Sequence, residues 1–340
     1  MENFIVSARK YRPDTFRMVI AQDAITSTLK NAIKNKQLAH SYLFCGPRGI
    51  GKTTCARIFA KTINCSNLTP EYEACNACES CTAFNSSRSD NIHEPDAASN
   101  NSVDDIRLLI DKVRIPPQVG NYSVYIIDEV HMLSPSAFNA LLKTLEEPPR
   151  HAIFILATTE KHKIIPTILS RCQIFDFNRI KVEDIVRHLE YVAQAEQVTA
   201  DRNALQVIAR KADGAMRDAL SIFDQIVSFS GRNITYQDVI TNLNVLDYDY
   251  YFRIVDGCLK NEVTDVLVTF NEILEKGFEG QHFINGLSTH FRDLLVSRDP
   301  VTIKLLEVSG DIRERYKIQA SACPPDFLLE ALQLSNECDY

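Results

Sequence analysis

Short apolar runs alternate with longer stretches of three-to-four spacing between Ser41 and Phe177. The runs Ser41–Cys45, Val124–Ile127 and Ala152–Ala157 are rich in β-branched and aromatic residues and end at polar residues or glycine. That is the pattern of strands buried on both faces of a parallel sheet. Helical spacing fills the intervals, most clearly over Thr53–Asn64 and Val103–Val113. The alternation predicts an α/β fold in which crossover helices cover a parallel sheet. After about Phe177 the strand pattern ends. Val182–Gln194, Asp201–Ala212 and Met216–Phe229 keep helical spacing, broken at Gly214 and Gly231, and read as a small all-α bundle. From about Val245 the same spacing runs through Ile254–Val268, Phe283–Val296 and Phe327–Leu334, a second all-α domain. The boundaries implied are 1–178, 179–243 and 244–340. The last residues, Asn336 to Tyr340, carry no helix-stop signal, which reads as a chain truncated at its C-terminus.

Composition narrows the class. A chain of 340 residues, 45% hydrophobic and 24% charged, is long enough for two or three cores and has the balance of a soluble globular protein. No apolar run approaches the roughly 20 residues a membrane span needs. The start Met1-Glu2-Asn3-Phe4 has no basic region followed by an apolar one, so a cytoplasmic protein with no membrane partner is expected. A net charge of −7 argues against a non-specific polyanion binder, yet leaves room for a local phosphate site built from backbone amides.

Against this background one loop carries specific chemistry. Gly46-Pro47-Arg48-Gly49-Ile50-Gly51-Lys52-Thr53 fits G-x-x-x-x-G-K-[ST] directly after a strand and before a helix, with Thr54 next in line. Glycines let backbone N–H groups close around a β-phosphate, and the following helix aims its positive end at the same charge. Lys52 is placed to reach β/γ-phosphate oxygens, and Thr53 to put its hydroxyl on Mg²⁺. The strand Val124–Ile127 runs into Asp128-Glu129. An acid at the end of a buried strand is costly unless a cation compensates it. Asp128 is therefore a second Mg²⁺ residue and Glu129 the group that orients and deprotonates an attacking water. Two adjacent acids can also simply begin a loop, and His131 reads as structural.

Four of the ten cysteines, Cys65, Cys75, Cys78 and Cys81, crowd together in a polar stretch, about 64–84, that cannot form a core alone. Free thiols, a redox pair and disulfides are the alternatives. In a reducing compartment the C-x-x-C turns favour a structural Zn²⁺ held by all four sulfurs.

The loop, the cysteine insert, Asp128-Glu-Val-His131, Leu141-Leu-Lys-Thr-Leu-Glu-Glu-Pro-Pro149, Ala157-Thr-Thr159, Ser170-Arg-Cys172 and Gly214-Ala-Met-Arg-Asp-Ala219 succeed one another in this order. Weak singly and specific as a set, they resemble the tau/gamma subunits of bacterial DNA polymerase III, AAA+ clamp-loader ATPases. The resemblance covers essentially the whole chain and is strongest over residues 4–220. It implies an AAA+ core with a zinc-binding insert, an all-α lid and an all-α collar, the collar incomplete here. It implies ATP, Mg²⁺ and Zn²⁺ as cofactors, and a five-subunit ring of clamp-loader subunits that opens a sliding clamp and seats it on primer–template DNA. In tau forms a further tail contacts polymerase and helicase. Polymerase chemistry belongs to the holoenzyme, since no carboxylate set for nucleotide addition is visible apart from the ATP site.

Residue by residue, the resemblance makes Thr159 the sensor of the γ-phosphate or attacking water, with Thr158 as the alternative. Arg171 becomes the arginine finger that reaches a neighbour's ATP, and Arg217 the second sensor, in cis. Ala8-Arg-Lys-Tyr11-Arg12-Pro13, with Ala8 and Tyr11 as contacts, and Val19-Ile20 match the segment that wraps the adenine. Relatives carry basic residues at the helix start corresponding to Ala97–Arg107, whereas Asn100, Asn101 and Ser102 stand here and leave Arg107 as the main basic candidate for DNA. Two other readings compete: a branch-migration helicase, which lacks the cysteine insert, and an ATP-inert scaffold, which would not keep Lys52, Thr53, Asp128 and Glu129.

Overall fold

The computed structural model describes residues 5–86, 88–118, 120–306, 308 and 310–338. It divides into two compact units, one of residues 1–185 with 212–221 and one of residues 186–211 with 222–340.

The first unit is built on five parallel strands: β1 (Ser41–Cys45), β2 (Ile92–His93), β3 (Ser123–Ile127), β4 (Ala152–Thr158) and β5 (Gln173–Asp176), in the spatial order β2-β3-β4-β1-β5. Every residue of β1, β3 and β4 is buried, and the strand period of two sends alternate side chains into two separate layers. Tyr42, Phe44, Val124, Ile126, Ile153 and Ile155 pack with the helices Asp23–Lys34 and Lys52–Ile63. Leu43, Tyr125, Ile127, Phe154 and Leu156 pack on the other face with Val103–Val113 and Pro135–Glu146. A three-layer α/β sandwich results, as the unbroken apolar runs anticipate. Neither β2 nor β5 stands out from the sequence: β2 has only two residues, and β5 exposes Gln173 and Asp176, so neither makes an apolar run.

The second unit is almost wholly helical. The exception among its described residues is a two-residue parallel pair, Thr199–Ala200 with Asn233–Ile234, too short to interrupt the helical spacing. One of its cores gathers Phe252, Val255, Phe283, Leu287, Phe291, Leu294, Tyr316 and Leu328. The spacing over Ile254–Val268 suggests one helix, but the chain forms two, Tyr248–Leu259 and Val263–Glu275. Asn261 between them sits in the left-handed region at φ 59°, a conformation asparagine tolerates and a continuing helix does not. The helix Gly310–Ala322 has no counterpart in the apolar pattern, because it buries little beyond Tyr316, Gln319 and Ala320 and has no clear apolar stripe. No helix among the described residues is long and apolar enough to cross a membrane.

Phe44 is fully buried and touches the rings of Phe175 and Phe177 at centroid distances of 5.5 and 5.1 Å. In chemical denaturation Phe44→Ala should cost about 3–5 kcal/mol. Leu108→Ala, at a side chain 65% exposed, should cost less than about 0.5 kcal/mol.

Candidate nucleotide site and metal centre

Adjacent strands β3, β4 and β1 end side by side, so the loops leaving them meet at one edge of the sheet. After β1 comes the glycine loop. Gly46 has φ 144° and any Cβ there would lie 2.5 Å from the Phe177 carbonyl oxygen; Gly49, at φ 77°, would place one 2.9 Å from Ala215 Cβ. Both positions need glycine. The helix begins one residue earlier than its spacing suggests, at Lys52 behind a left-handed Gly51. Lys52 is buried, and Nζ donates to the carbonyls of Gly46 and Pro47, each at 2.7 Å. Burial lowers the pKa of its ammonium from the ordinary value, while Glu129 and Asp128 pull it back.

Thr53 Oγ1 donates to Asp128 Oδ2 at 2.7 Å, which joins the loop to the end of β3. Glu129 comes next in a left-handed conformation, φ 47°, unusual for a side chain of that size. Its carboxylate accepts the Thr159 hydroxyl at 3.0 Å and the Thr159 N–H at 3.3 Å. Of the two neighbouring threonines, Thr159 therefore lies on Glu129. Thr158 is fully buried at the end of β4, and its hydroxyl meets His131 Nδ1 at 3.0 Å. His131 also reaches Glu160 at 3.0 Å, and Glu160 pairs with Lys163 at 2.7 Å. His131 and Thr158 stand in motifs of the sequence, but nothing there joins them to each other or to Glu160 and Lys163, which are ordinary residues in an ordinary setting.

Arg217 is the second residue of the helix Met216–Ser230, and its N–H donates to the Gly49 carbonyl at 3.2 Å. Ala8 and Tyr11 are half-buried on and just after the turn Ser7–Lys10, and Arg12 Nε donates to Thr54 Oγ1 at 3.2 Å. Arg48 stays exposed, whereas Ile50 is buried against the loop. Arg171 is elsewhere. It precedes β5, whose Gln173 pairs with Tyr42 at the start of β1, while the glycine loop lies past the end of β1. At about 3.3 Å per residue the two are separated by roughly 15 Å of strand. Arg171 pairs with Glu146 at 2.7 Å and donates to the Thr167 carbonyl at 2.7 Å, in a groove with His40, Pro148 and Gln173. At the Ala97–Arg107 stretch, Ser102 caps the helix Val103–Val113 in a capping box with Asp105, and Arg107 makes an exposed pair with Asp104 at 3.3 Å.

The four cysteine sulfurs all lie within 4.8 Å of one another. A tetrahedral Zn²⁺ with bonds of about 2.3 Å needs sulfurs slightly under 4 Å apart, and Cys78 Sγ is 4.0 Å from Cys65 Sγ. Backbone amides already point at these sulfurs: Cys75 N–H at Cys65 (3.3 Å), and Ala77 and Cys78 N–H at Cys75 (3.4 and 3.3 Å). The last two hold the Cys75 thiol below its ordinary pKa, towards the thiolate a metal binds, whereas burial pushes the Cys65 and Cys81 thiols up. The residues present fit a structural zinc. The module's own buried cluster is small, Cys65, Ala74 and Cys81 with Leu68 beside it, so metal bonds would add much to its internal order.

A family model described as "DNA polymerase III, delta subunit" matches residues 21–181, and one for the ATPase lid domain of the DNA polymerase III clamp loader subunit matches residues 184–232. The chain is 44% identical to DNA polymerase III subunit tau of Bacillus subtilis over 97% of its own length and 58% of that protein's. It is 35% identical to DNA polymerase III subunit gamma of Buchnera aphidicola subsp. Baizongia pistaciae, over 94% of its length and 86% of that protein's. Against the tau proteins of Bacillus subtilis and Salmonella typhimurium it spans 58% and 50% of their length. Among solved structures, the RuvB branch migration motor of Thermotoga maritima superposes with a TM-score of 0.52 at 19% identity over 74% of this chain and 80% of that one, a likeness of fold.

Metal analysis should find about one zinc per purified chain, and Cys78→Ser should leave less than about half an equivalent.

Proposed function

Because the chain belongs to the tau/gamma subunit family of DNA polymerase III, we propose that it is the ATP-driven motor subunit of a bacterial sliding-clamp loader. The observation that carries this is the junction of Thr53 with Asp128 at 2.7 Å, at the shared edge where β1 and β3 end. A threonine and a buried-strand carboxylate so placed form a Mg²⁺ site beside a phosphate-cradling loop.

In this reading the loop from Gly46 to Thr54 holds the triphosphate of ATP, with Ala8 and Tyr11 on the nucleoside side. Lys52 turns from the carbonyls of Gly46 and Pro47 to the β/γ-phosphate oxygens. Thr53 and Asp128 hold Mg²⁺, which when bound draws off charge developing on the transferred phosphoryl group. Glu129 takes a proton from the attacking water, and Thr159, whose hydroxyl and N–H both lie on Glu129, aims that carboxylate and reports the γ-phosphate. Arg217 senses the same phosphate from the helix that begins against Gly49. Arg171, at the opposite strand end from its own loop, serves the ATP of a neighbouring subunit. Hydrolysis is then a property of the assembled ring.

The domain reading of core 1–178, lid 179–243 and collar 244–340 is supported by the lid match at 184–232. The cysteine module about 64–84 holds structural Zn²⁺. Partners are other loader subunits in a five-membered ring, the sliding clamp and primer–template DNA, in the cytoplasm; a longer tau form would add polymerase and helicase.

ATP turnover by the reconstituted loader, with and without clamp and primed DNA, tests the function; a rate indifferent to both ligands sinks it. Arg171→Ala should leave ATP affinity within a few-fold while turnover in the ring falls about 10³-fold or more. Normal turnover in that variant removes the finger assignment. Lys52→Ala should abolish ATP binding in the isolated chain.

A further inference from the structure

Glu73 lies inside the cysteine module, two residues before Cys75, and its side chain is 8% exposed. Oε2 accepts the Phe16 N–H at 2.9 Å, and Oε1 accepts the Arg17 N–H at 3.2 Å and pairs with Lys30 Nζ at 2.6 Å. A carboxylate this buried is costly unless such donors meet it. The two amides open the 3-10 turn Phe16–Met18 and have no partner within it. A side chain of the metal module thus caps a turn of the N-terminal segment from outside.

The same segment is tied at its other end to the nucleotide site. Arg12 donates to Thr54, the residue after the loop's Thr53. Residues 12–17 are therefore held at two points, one beside the phosphate loop and one on the cysteine module. The module is in turn joined to the far end of the loop's own helix. Buried Lys61 donates to Asn76, inside the Cys75–Cys78 turn, at 2.7 Å, and Arg57 lies over the Phe84 ring at 4.9 Å.

We infer that the cysteine module fastens the N-terminal segment to the nucleotide site, with Glu73 as the positioning residue through which zinc occupancy sets the affinity for ATP. The inference rests on the reading of the loop as an ATP site and of the cysteines as a zinc site. Its physical basis is the small core of the module. With the metal removed, Cys75 and Cys78 lose the ligand bonds that hold them to the small cluster of Cys65, Ala74 and Cys81, and Glu73, two residues before Cys75, then loses the fixed position from which it caps Phe16 and Arg17.

The test measures the Kd of a fluorescent ATP analogue with Mg²⁺ for the full chain as wild type, as Glu73→Gln and as zinc-stripped wild type, with zinc content and circular dichroism beside it. Glu73→Gln should keep its zinc and its helicity while Kd rises about tenfold, the scale of one or two lost charge-assisted hydrogen bonds. Stripping zinc should raise the wild-type Kd by a similar factor and add little in Glu73→Gln. In the assembled loader KM for ATP should rise with kcat within about twofold, and amide exchange should quicken at Phe16 and Arg17. Wild-type Kd in zinc-replete Glu73→Gln overturns the fastener, as does wild-type Kd in zinc-stripped protein, which requires no variant to fold. Lys52→Ala separates the two readings: if it loses ATP while Glu73→Gln binds normally, the fastener alone fails.

Discussion

The central strands of the first unit have no face turned to water, and the placement of the site is a consequence. β1, β3 and β4 are buried along their whole length, so a charged side chain within them would be desolvated with no partner. Polar chemistry can appear only where these strands end. Because β3, β4 and β1 are adjacent and parallel, their three ends lie at one edge, which brings Asp128-Glu129, Thr158-Thr159 and the glycine loop together. The alternation that fills both helical layers also fixes register. A slip of one residue in β1 would send Tyr42 and Phe44 to the layer that holds Leu43, and would move the loop away from Asp128.

From that edge the helix Lys52–Ile63 carries the arrangement through the molecule. It starts at the buried Lys52 and ends two residues before Cys65. At about 1.5 Å per residue its 12 residues span close to 18 Å. Asn64, just past its end, is buried and accepts the N–H groups of Asn121 and Tyr122 at 3.1 and 2.9 Å, which fixes the approach to β3. One rigid element thus has a phosphate-type loop at one end and the cysteine cluster at the other. The N-terminal segment runs beside it and touches both, through Arg12 on Thr54 and through Glu73 on Phe16 and Arg17.

The left-handed Glu129 shows how the fold holds a strained carboxylate at the strand end. Its conformation is strained for a side chain with a Cβ, yet two donors from Thr159 hold the carboxylate and its own N–H bonds back to Asp128 Oδ1 at 3.0 Å. Behind it, His131, Thr158, Glu160 and Lys163 form a continuous polar chain whose first histidine is almost wholly buried. In a sequence these are scattered residues of common type. Their value lies in the side-by-side ends of two strands, which no local pattern reveals.

Features with a short period or a short span were legible from the residues alone. The apolar runs announce β1, β3 and β4, because strands buried on both faces must be continuously apolar. The glycine–lysine–threonine spacing marks the loop, because a backbone cradle needs residues without a Cβ at fixed offsets. The C-x-x-C turns collect the sulfurs within 4.8 Å, because ligand spacing in a short turn is local. Relations across strands, by contrast, came only with the packed molecule: that Thr53 meets Asp128, that Thr159 rather than Thr158 lies on Glu129, and that Arg171 stands at the strand end remote from its own loop. The edge strands β2 and β5, partly exposed or very short, acquire their identity from pairing and not from pattern. Glu73 is the sharpest case, an ordinary acid in a polar stretch whose partners are amides 57 and 56 residues away. Long-range contacts of that kind are set by the whole packed fold, and a linear sequence carries no periodic trace of them.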